Sequence, residues 1–76
     1  MPENVVLYDV YLVETGPNRV EVIRRLVHIT KKGLAESKRL SDNVPSLILS
    51  NVPAKLAKSV KLQLESIQAA VELQQQ

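Results

Sequence analysis

The 76-residue sequence contains no cysteine, no tryptophan, no phenylalanine and only two glycines. The absence of cysteine excludes disulfides and thiolate chemistry and favours a cytoplasmic setting. No apolar run approaches the roughly 20 residues that a membrane-spanning helix needs. The first ten residues, MPENVVLYDV, also lack the basic start and the cleavage site of a signal peptide. We therefore expect a cytoplasmic protein without a membrane partner.

Side chains suited to catalysis or metal binding are equally sparse. His28 is the only histidine, and no two acidic residues stand at the i, i+3 or i, i+4 spacing of a helix face. A metal site needs three or four converging ligands, and two glycines do not make a phosphate-binding loop. We expect no enzymatic activity, no catalytic residue, no metal and no cofactor, and we interpret His28 as a surface side chain.

The net charge of +2 is unevenly distributed along the chain. Residues 19–39 hold seven Lys or Arg against two Glu, a balance of +5, so the rest of the chain sums to −3. A local basic region raises encounter rates with acidic partners, whether protein or nucleic acid. The alternative is a solvated helix face without a partner.

Periodicity and turn residues divide the chain into six elements. β-branched and aromatic residues favour a first strand, helical periodicity begins at Arg19, and proline stops one helix and opens another. The predicted elements are a strand at 5–14, a helix from Arg19 to a turn at Gly33, a helix at 34–43, a strand at 46–50, a helix from Pro53 and a strand at 69–74.

The order β-α-α-β-α-β predicts an α+β fold in a single domain spanning residues 1–76. The third helix is a right-handed crossover between two strands that run parallel. The simplest three-stranded sheet places the first strand between them, antiparallel to both, with all three helices on one face. This arrangement is a two-layer sandwich. Its mixed sheet is of the antiparallel type, because both outer strands pair antiparallel with the central strand although they run parallel to each other.

Helical spacing also predicts which side chains enter the core. In the first helix Val20, Ile23, Leu26 and Val27 form the predicted core face, with Val22 and Ile29 at its margin. In the third helix the predicted core stripe is Leu56, Val60, Leu64 and Ile67.

Four stretches of the sequence together resemble one known family. They read YDV at 8–10, GPNR at 16–19, VEVIR at 20–24 and TKKGLAESK at 30–38. This pattern is similar to the C-terminal domain of the bacterial large-subunit ribosomal stalk protein, and it extends from Tyr8 to Gln74 without a gap. The resemblance implies the same fold as the one predicted above.

The resemblance also implies a function for the first two helices, which in that family recruit translational GTPases. It implies a non-enzymatic protein-binding module that docks an acidic partner, with translation factors or the ribosome as the expected partners. The positions carried over are Arg19, Val22, Ile23, Arg24, Gly33, Leu34 and Lys38. The alternative interpretation is that Ile23 belongs only to the core and that Arg24 is only a solvated side chain.

The sequence departs from the family in its charges and at its N-terminus. Val27 stands where the family has an arginine, and lysines are added at 31 and 32. The third helix, acidic in the family, here carries Lys55, Lys58 and Lys61. Met1 lies seven residues before Tyr8, so we expect a free-standing relative without the family's N-terminal dimerisation segment and hinge.

The face of the sheet turned away from the helices is predicted to be unusually apolar. If Tyr8, Val10 and Leu12 face the helices as in the family, alternation turns five large apolar residues to the other face. These are Leu7, Tyr11, Val13, Leu47 and Leu49. A patch of this kind indicates self-association as a homodimer, and thus a structural or regulatory subunit, or a second protein partner. The alternatives are a one-residue register shift or an N-terminal segment that folds over the sheet.

Nucleic-acid binding by the basic helices is a further alternative. Both aromatic residues, Tyr8 and Tyr11, lie on the first strand, so the cations have no stacking platform beside them. We therefore do not favour nucleic acid as the partner.

Overall fold

A computed structural model describes residues 6–76 and contains the predicted order of elements. The elements are β1 (Leu7–Glu14), α1 (Arg19–Thr30), α2 (Leu34–Asp42), β2 (Ser46–Pro53), α3 (Ala54–Glu65) and β3 (Ala70–Gln75). The strand order in the sheet is β2-β1-β3, and β1 pairs antiparallel with both neighbours. The predicted α+β class and the central position of the first strand are confirmed. The predicted first strand began at residue 5, which lies outside the described residues.

A tight contact between two connections holds the β1–α1 turn in place. Gly16 has a φ of 72°, and a Cβ there would lie 2.9 Å from the carbonyl carbon of Gln68 and closer still to its oxygen. The side chain of Asn18 donates a hydrogen bond of 3.4 Å to the carbonyl oxygen of Ile67. The start of α1 is therefore joined to the connection between α3 and β3.

The turn after α1 uses two residues with positive φ. Lys31 caps α1 in the left-handed conformation, with φ 59°, and its N–H donates to the carbonyl oxygen of Val27 at 3.0 Å. Gly33, predicted to supply the left-handed turn, instead occupies the N-cap position of α2 with φ 90°.

The core lies between the helices and one face of the sheet. Its buried members are Val10, Leu12, Val22, Leu26, Ile48, Ala57, Val60, Leu64, Ala69 and Val71. Tyr8 and Leu73 pack against this cluster, so the predicted inward face of β1 and β3 is confirmed.

The predicted core faces of α1 and α3 are partly wrong. In α1 the inward residues are Val22 and Leu26, with Ile29 packed beside them, whereas Val20 is 70% exposed. In α3 the small side chain of Ala57 is buried, and Leu56 is 45% exposed. Both helices carry more apolar residues than one face accommodates, so helical spacing alone allows two overlapping stripes and packing against the sheet selects one.

A β-bulge in β2 overturns the predicted orientation of Leu49. Tyr11 pairs with Leu47 and Val10 pairs with Leu49, so one extra residue, Ile48, lies between successive pairs. A bulge of this type breaks the alternation of side chains. Ile48 is buried, Leu49 packs against the core on the same side, and only Leu47, 43% exposed, points to the open face.

A second irregularity in β2 lies beside Asp9 of β1. Between the pairs Tyr8–Val52 and Val10–Leu49 the register shifts again, and Asn51 has a φ of 58°. One carboxylate oxygen of Asp9 accepts hydrogen bonds from the Ser50 hydroxyl at 3.1 Å and from the Asn51 N–H at 3.3 Å. The Gln76 side-chain amide donates to the same oxygen. Asp9 thus holds the C-terminal part of β2 and the end of the chain against β1.

Candidate protein-binding site

α1 and α2 form an antiparallel hairpin. Arg19, the first residue of α1, forms an ion pair with Asp42, the last residue of α2. This pairing of opposite ends places Leu34, the first residue of α2, towards the C-terminal end of α1. The two helices therefore present one continuous outer surface.

An apolar stripe runs along the outer side of this hairpin. Val20, Ile23 and Val27 stand at i, i+3 and i+7, so they share one side of α1. Val20 is 70% exposed, and Ile23 and Val27 are partly exposed. Leu34 extends the stripe onto α2 and is 67% exposed. We call these four residues, with Arg24 and Lys38, the hairpin surface.

The cations of the hairpin surface differ in their surroundings. Arg24 is exposed and lies 3.6 Å from a carboxylate oxygen of Glu21 on its own helix. Lys38 is exposed and, within residues 6–76, has no carboxylate within ion-pair distance. Arg19, also predicted as a partner contact, is already engaged with Asp42. Arg24 and Lys38 are therefore the cations best placed to meet an incoming partner.

The structure brings most of the predicted site residues to this region but excludes one. Gly33 is exposed, and a Cβ there would meet nothing within 4 Å, so a partner can approach the backbone closely. Ile23, Leu34 and Lys38 lie on the hairpin surface. Val22 is fully buried in the core, so its predicted role as a partner contact is not compatible with its position. Sequence reasoning missed Val20. If the stripe of Val22, Leu26 and Ile29 at i, i+4 and i+7 had been taken as the core face, Val20 would have been placed on the exposed side of α1.

A second ion pair on α2 neutralises two further charges beside the hairpin surface. The Arg39 guanidinium donates hydrogen bonds of 3.2 and 2.7 Å to the two carboxylate oxygens of Glu36. These bonds lower the pKa of Glu36 below its ordinary value and raise the pKa of Arg39. The pair leaves Lys38 as the cation of α2 that is available to a partner.

The buried side of α2 is lined by serines. Ser41 donates to the carbonyl oxygen of Lys38 at 2.8 Å, and Ser46 of β2 donates to that of Leu40 at 2.8 Å. The buried hydroxyl of Ser37 has no hydrogen-bond partner among the described residues. Leu34 stands at i, i+3 and i+7 with Ser37 and Ser41, so it lies on the same side of α2, at the N-terminal end, where it is 67% exposed.

Neither a cluster of metal ligands nor a membrane-spanning helix occurs in the part of the chain that the structure describes. Residues 6–76 bring together no group of three or more His, Asp or Glu side chains that could hold a metal ion. Over the same residues, none of the helices has the length and apolar character required to cross a membrane.

The fold and the exposed hairpin define a small two-layer α+β domain with an apolar and basic helical surface. Comparison with known proteins extends this assignment. Residues 8–74 match the family model described as the ribosomal protein L7/L12 C-terminal domain, and the chain belongs to this family. The resemblance drawn from the sequence motifs is therefore confirmed.

Similar proteins come from several bacteria. The large ribosomal subunit protein bL12 of Aquifex aeolicus is 42% identical over 66 residues, covering 87% of this chain and 52% of that protein. The bL12 protein of Rickettsia akari is 41% identical, with 87% and 53% covered. That of Bacillus cytotoxicus is 38% identical, with 87% and 56% covered. The chain thus spans about half the length of these relatives.

Proposed function

We propose that this domain is a non-enzymatic docking module of translation that binds an acidic protein partner, a translational GTPase, through the hairpin surface. The observation that carries the proposal is the pair of highly exposed apolar side chains, Val20 and Leu34, beside the exposed cations Arg24 and Lys38. Membership of the ribosomal protein family supports translation as the setting.

The physical basis of this docking is a small apolar contact surrounded by positive charge. Leu34 is 67% exposed in the domain alone, so a partner that covers it removes most of its surface from water. Burying a whole leucine side chain stabilises by roughly 1.5–3 kcal/mol, so this contact is worth about 1–2 kcal/mol. Arg24 and Lys38 would act mainly on the rate of encounter with an acidic surface.

A matched pair of leucine variants tests the apolar contact. Leu34 and Leu62 are almost equally exposed, at 67% and 68%, but Leu62 lies on α3 and does not belong to the hairpin surface. With a purified bacterial elongation GTPase as partner, Leu34→Ser should weaken binding roughly 5- to 30-fold, since 1.4 kcal/mol corresponds to tenfold. Leu62→Ser should leave binding unchanged. Equal effects of the two variants, or none from Leu34→Ser, would refute the proposal.

A charge reversal tests the cations of the same surface. The double variant Arg24→Glu, Lys38→Glu should slow association with the GTPase and reduce its dependence on salt, because exposed interface charges act mainly through steering. The control is Lys55→Glu, Lys58→Glu on α3, which has the same net charge. An unchanged association rate in the hairpin variant, or an equal loss in the control, would contradict a docking role for this surface.

Self-association through the open sheet face is a second candidate. Leu7, Tyr11 and Val13 are partly exposed there beside the more exposed Leu47. The bulge removes Leu49 from this patch, so the face is smaller than the sequence indicated. Sedimentation velocity tests this self-association. It is applied to the native chain, to Leu47→Glu and to the control Leu62→Glu. A dimer that only Leu47→Glu dissociates supports a homodimer, and a native monomer at high concentration excludes one.

A further inference from the structure

A groove lies on another side of the molecule, between the C-terminal end of α1, α3 and β2. It has a volume of about 460 Å³ and is lined by His28, Ile29, Lys31, Leu49, Leu56, Val60 and Gln63. None of these residues belongs to the hairpin surface. A volume of this size falls within the range of sites that accommodate small ligands or single large side chains, roughly 300–1,000 Å³.

The floor of the groove is apolar because of two local features described above. The bulge in β2 turns Leu49 towards the helices, and the burial of Ala57 leaves Leu56 at the side of α3, 45% exposed. Ile29 and Val60 complete the floor. A large apolar side chain placed here would therefore contact aliphatic groups from three elements.

The rim of the groove is positively charged. Lys31 lines it directly, and Lys32 follows in the chain. Arg25 stands one helical turn before His28 and Ile29, on the same side of α1. The segments that build the groove contain no Asp or Glu, because residues 22–35 and 43–64 carry only basic charges. The field at the groove therefore favours an anionic ligand.

We propose that this groove is a second binding surface, which docks an acidic peptide segment of a partner protein through one large apolar side chain. The apolar side chain occupies the floor formed by Ile29, Leu49 and Leu56. The flanking carboxylates of the peptide pair with Lys31 and its neighbouring cations. Single-stranded nucleic acid fits less well, because the groove offers no tyrosine for its bases to stack on.

A synthetic peptide provides the direct test. The probe is a fluorescein-labelled octapeptide with one phenylalanine among acidic residues, titrated into the native domain. One control peptide has alanine in place of phenylalanine, and another has glutamine in place of the acids. We expect the full peptide to bind and each control peptide to bind at least about tenfold more weakly. In NMR spectra of the domain, the full peptide should shift the backbone amide signals of Ile29, Leu49 and Leu56.

Variants separate this groove from the hairpin surface. Lys31→Glu and Leu56→Ser should each lower the affinity for the peptide about 3- to 10-fold. Lys31→Glu alters an exposed charge pair, and Leu56→Ser removes a half-exposed apolar contact. Lys38→Glu is the matched control on the hairpin surface and should change the affinity less than about twofold. Lys31→Gln removes the charge without reversing it, so its affinity for the peptide should lie between those of the native domain and of Lys31→Glu.

Four results would overturn the proposal. They are the absence of peptide binding at millimolar concentration, equal binding of the alanine peptide, shifts that map to Val20 and Leu34, and groove shifts that depend on protein concentration without peptide. The last would identify a second copy of the chain as the occupant. If the hairpin variants lose GTPase binding but retain peptide binding, the groove and the hairpin surface are two independent binding sites.

Discussion

Replacing Gly16 by alanine is the sharpest test of the contact between the β1–α1 turn and the α3–β3 connection. The φ of 72° at Gly16 lies in the left-handed region, which costs an alanine roughly 1–2 kcal/mol. The new Cβ would also lie 2.9 Å from the carbonyl carbon of Gln68. That neighbour is backbone, so it cannot rotate away as a flexible side chain would.

The second glycine of the chain separates these two effects. Gly33 also has a positive φ, 90°, but a Cβ there meets nothing within 4 Å. The ψ of Gly33 is 173°, a region that essentially only glycine populates, so Gly33→Ala should lower the free energy of unfolding by the backbone strain alone, about 1–3 kcal/mol. Gly16→Ala adds the displacement of packed backbone, which by analogy with overpacking costs a further 1–3 kcal/mol or so.

Urea unfolding followed by circular dichroism measures the free energy of unfolding of both variants. The signal comes from the secondary structure, so no aromatic probe in the core is required. A total loss of about 2–5 kcal/mol in Gly16→Ala is a large part of the stability expected for a domain of this size, roughly 4–11 kcal/mol. Each kcal/mol also lowers Tm by about 4–8 °C. A loss of no more than about 2 kcal/mol in Gly16→Ala, which the positive φ alone would explain, would refute the argument, because the close approach to Gln68 would then contribute nothing.

Three further predictions concern the core, the open sheet face and α2. Leu26→Ala should lower the free energy of unfolding by about 2–5 kcal/mol and Val20→Ala by less than about 1 kcal/mol; similar urea midpoints would contradict the assigned face of α1. Asp9→Ala removes the acceptor of three hydrogen bonds and should destabilise by about 1–3 kcal/mol, with faster amide exchange in the second half of β2 as the specific sign. In an NMR titration the pKa of Glu36 should lie below 4.5 and rise in Arg39→Ala. A lowered pKa in the folded state means that this pair stabilises above about pH 4.5 and stops doing so as the pH falls through the lowered value; an unchanged pKa in the variant would exclude Arg39 as the cause.

The order of elements and of strands could be predicted because strand composition, prolines and helical periodicity agree along the chain. The inward face of α1 could not, because Val20, Val22, Ile23, Leu26, Val27 and Ile29 satisfy two helical stripes and only packing against the sheet distinguishes them. Val22 entered the predicted site through the family resemblance, which did not distinguish the buried stripe of α1 from the exposed one that contains Val20. The orientation of Leu49 was also inaccessible, since alternation assumes an uninterrupted strand and nothing in the SLILS stretch marks a bulge.

The bulges of β2 also affect how the domain behaves among other copies of itself. β2 lies at one edge of the sheet, and an edge strand presents unpaired backbone groups to any extended chain that meets it. The extra residues near Ile48 and Asn51 interrupt the regular spacing of those groups, so an incoming strand cannot pair along the whole length of β2. The irregularity that gives the groove its apolar floor thus also makes this edge of the sheet a poorer template for edge-to-edge aggregation.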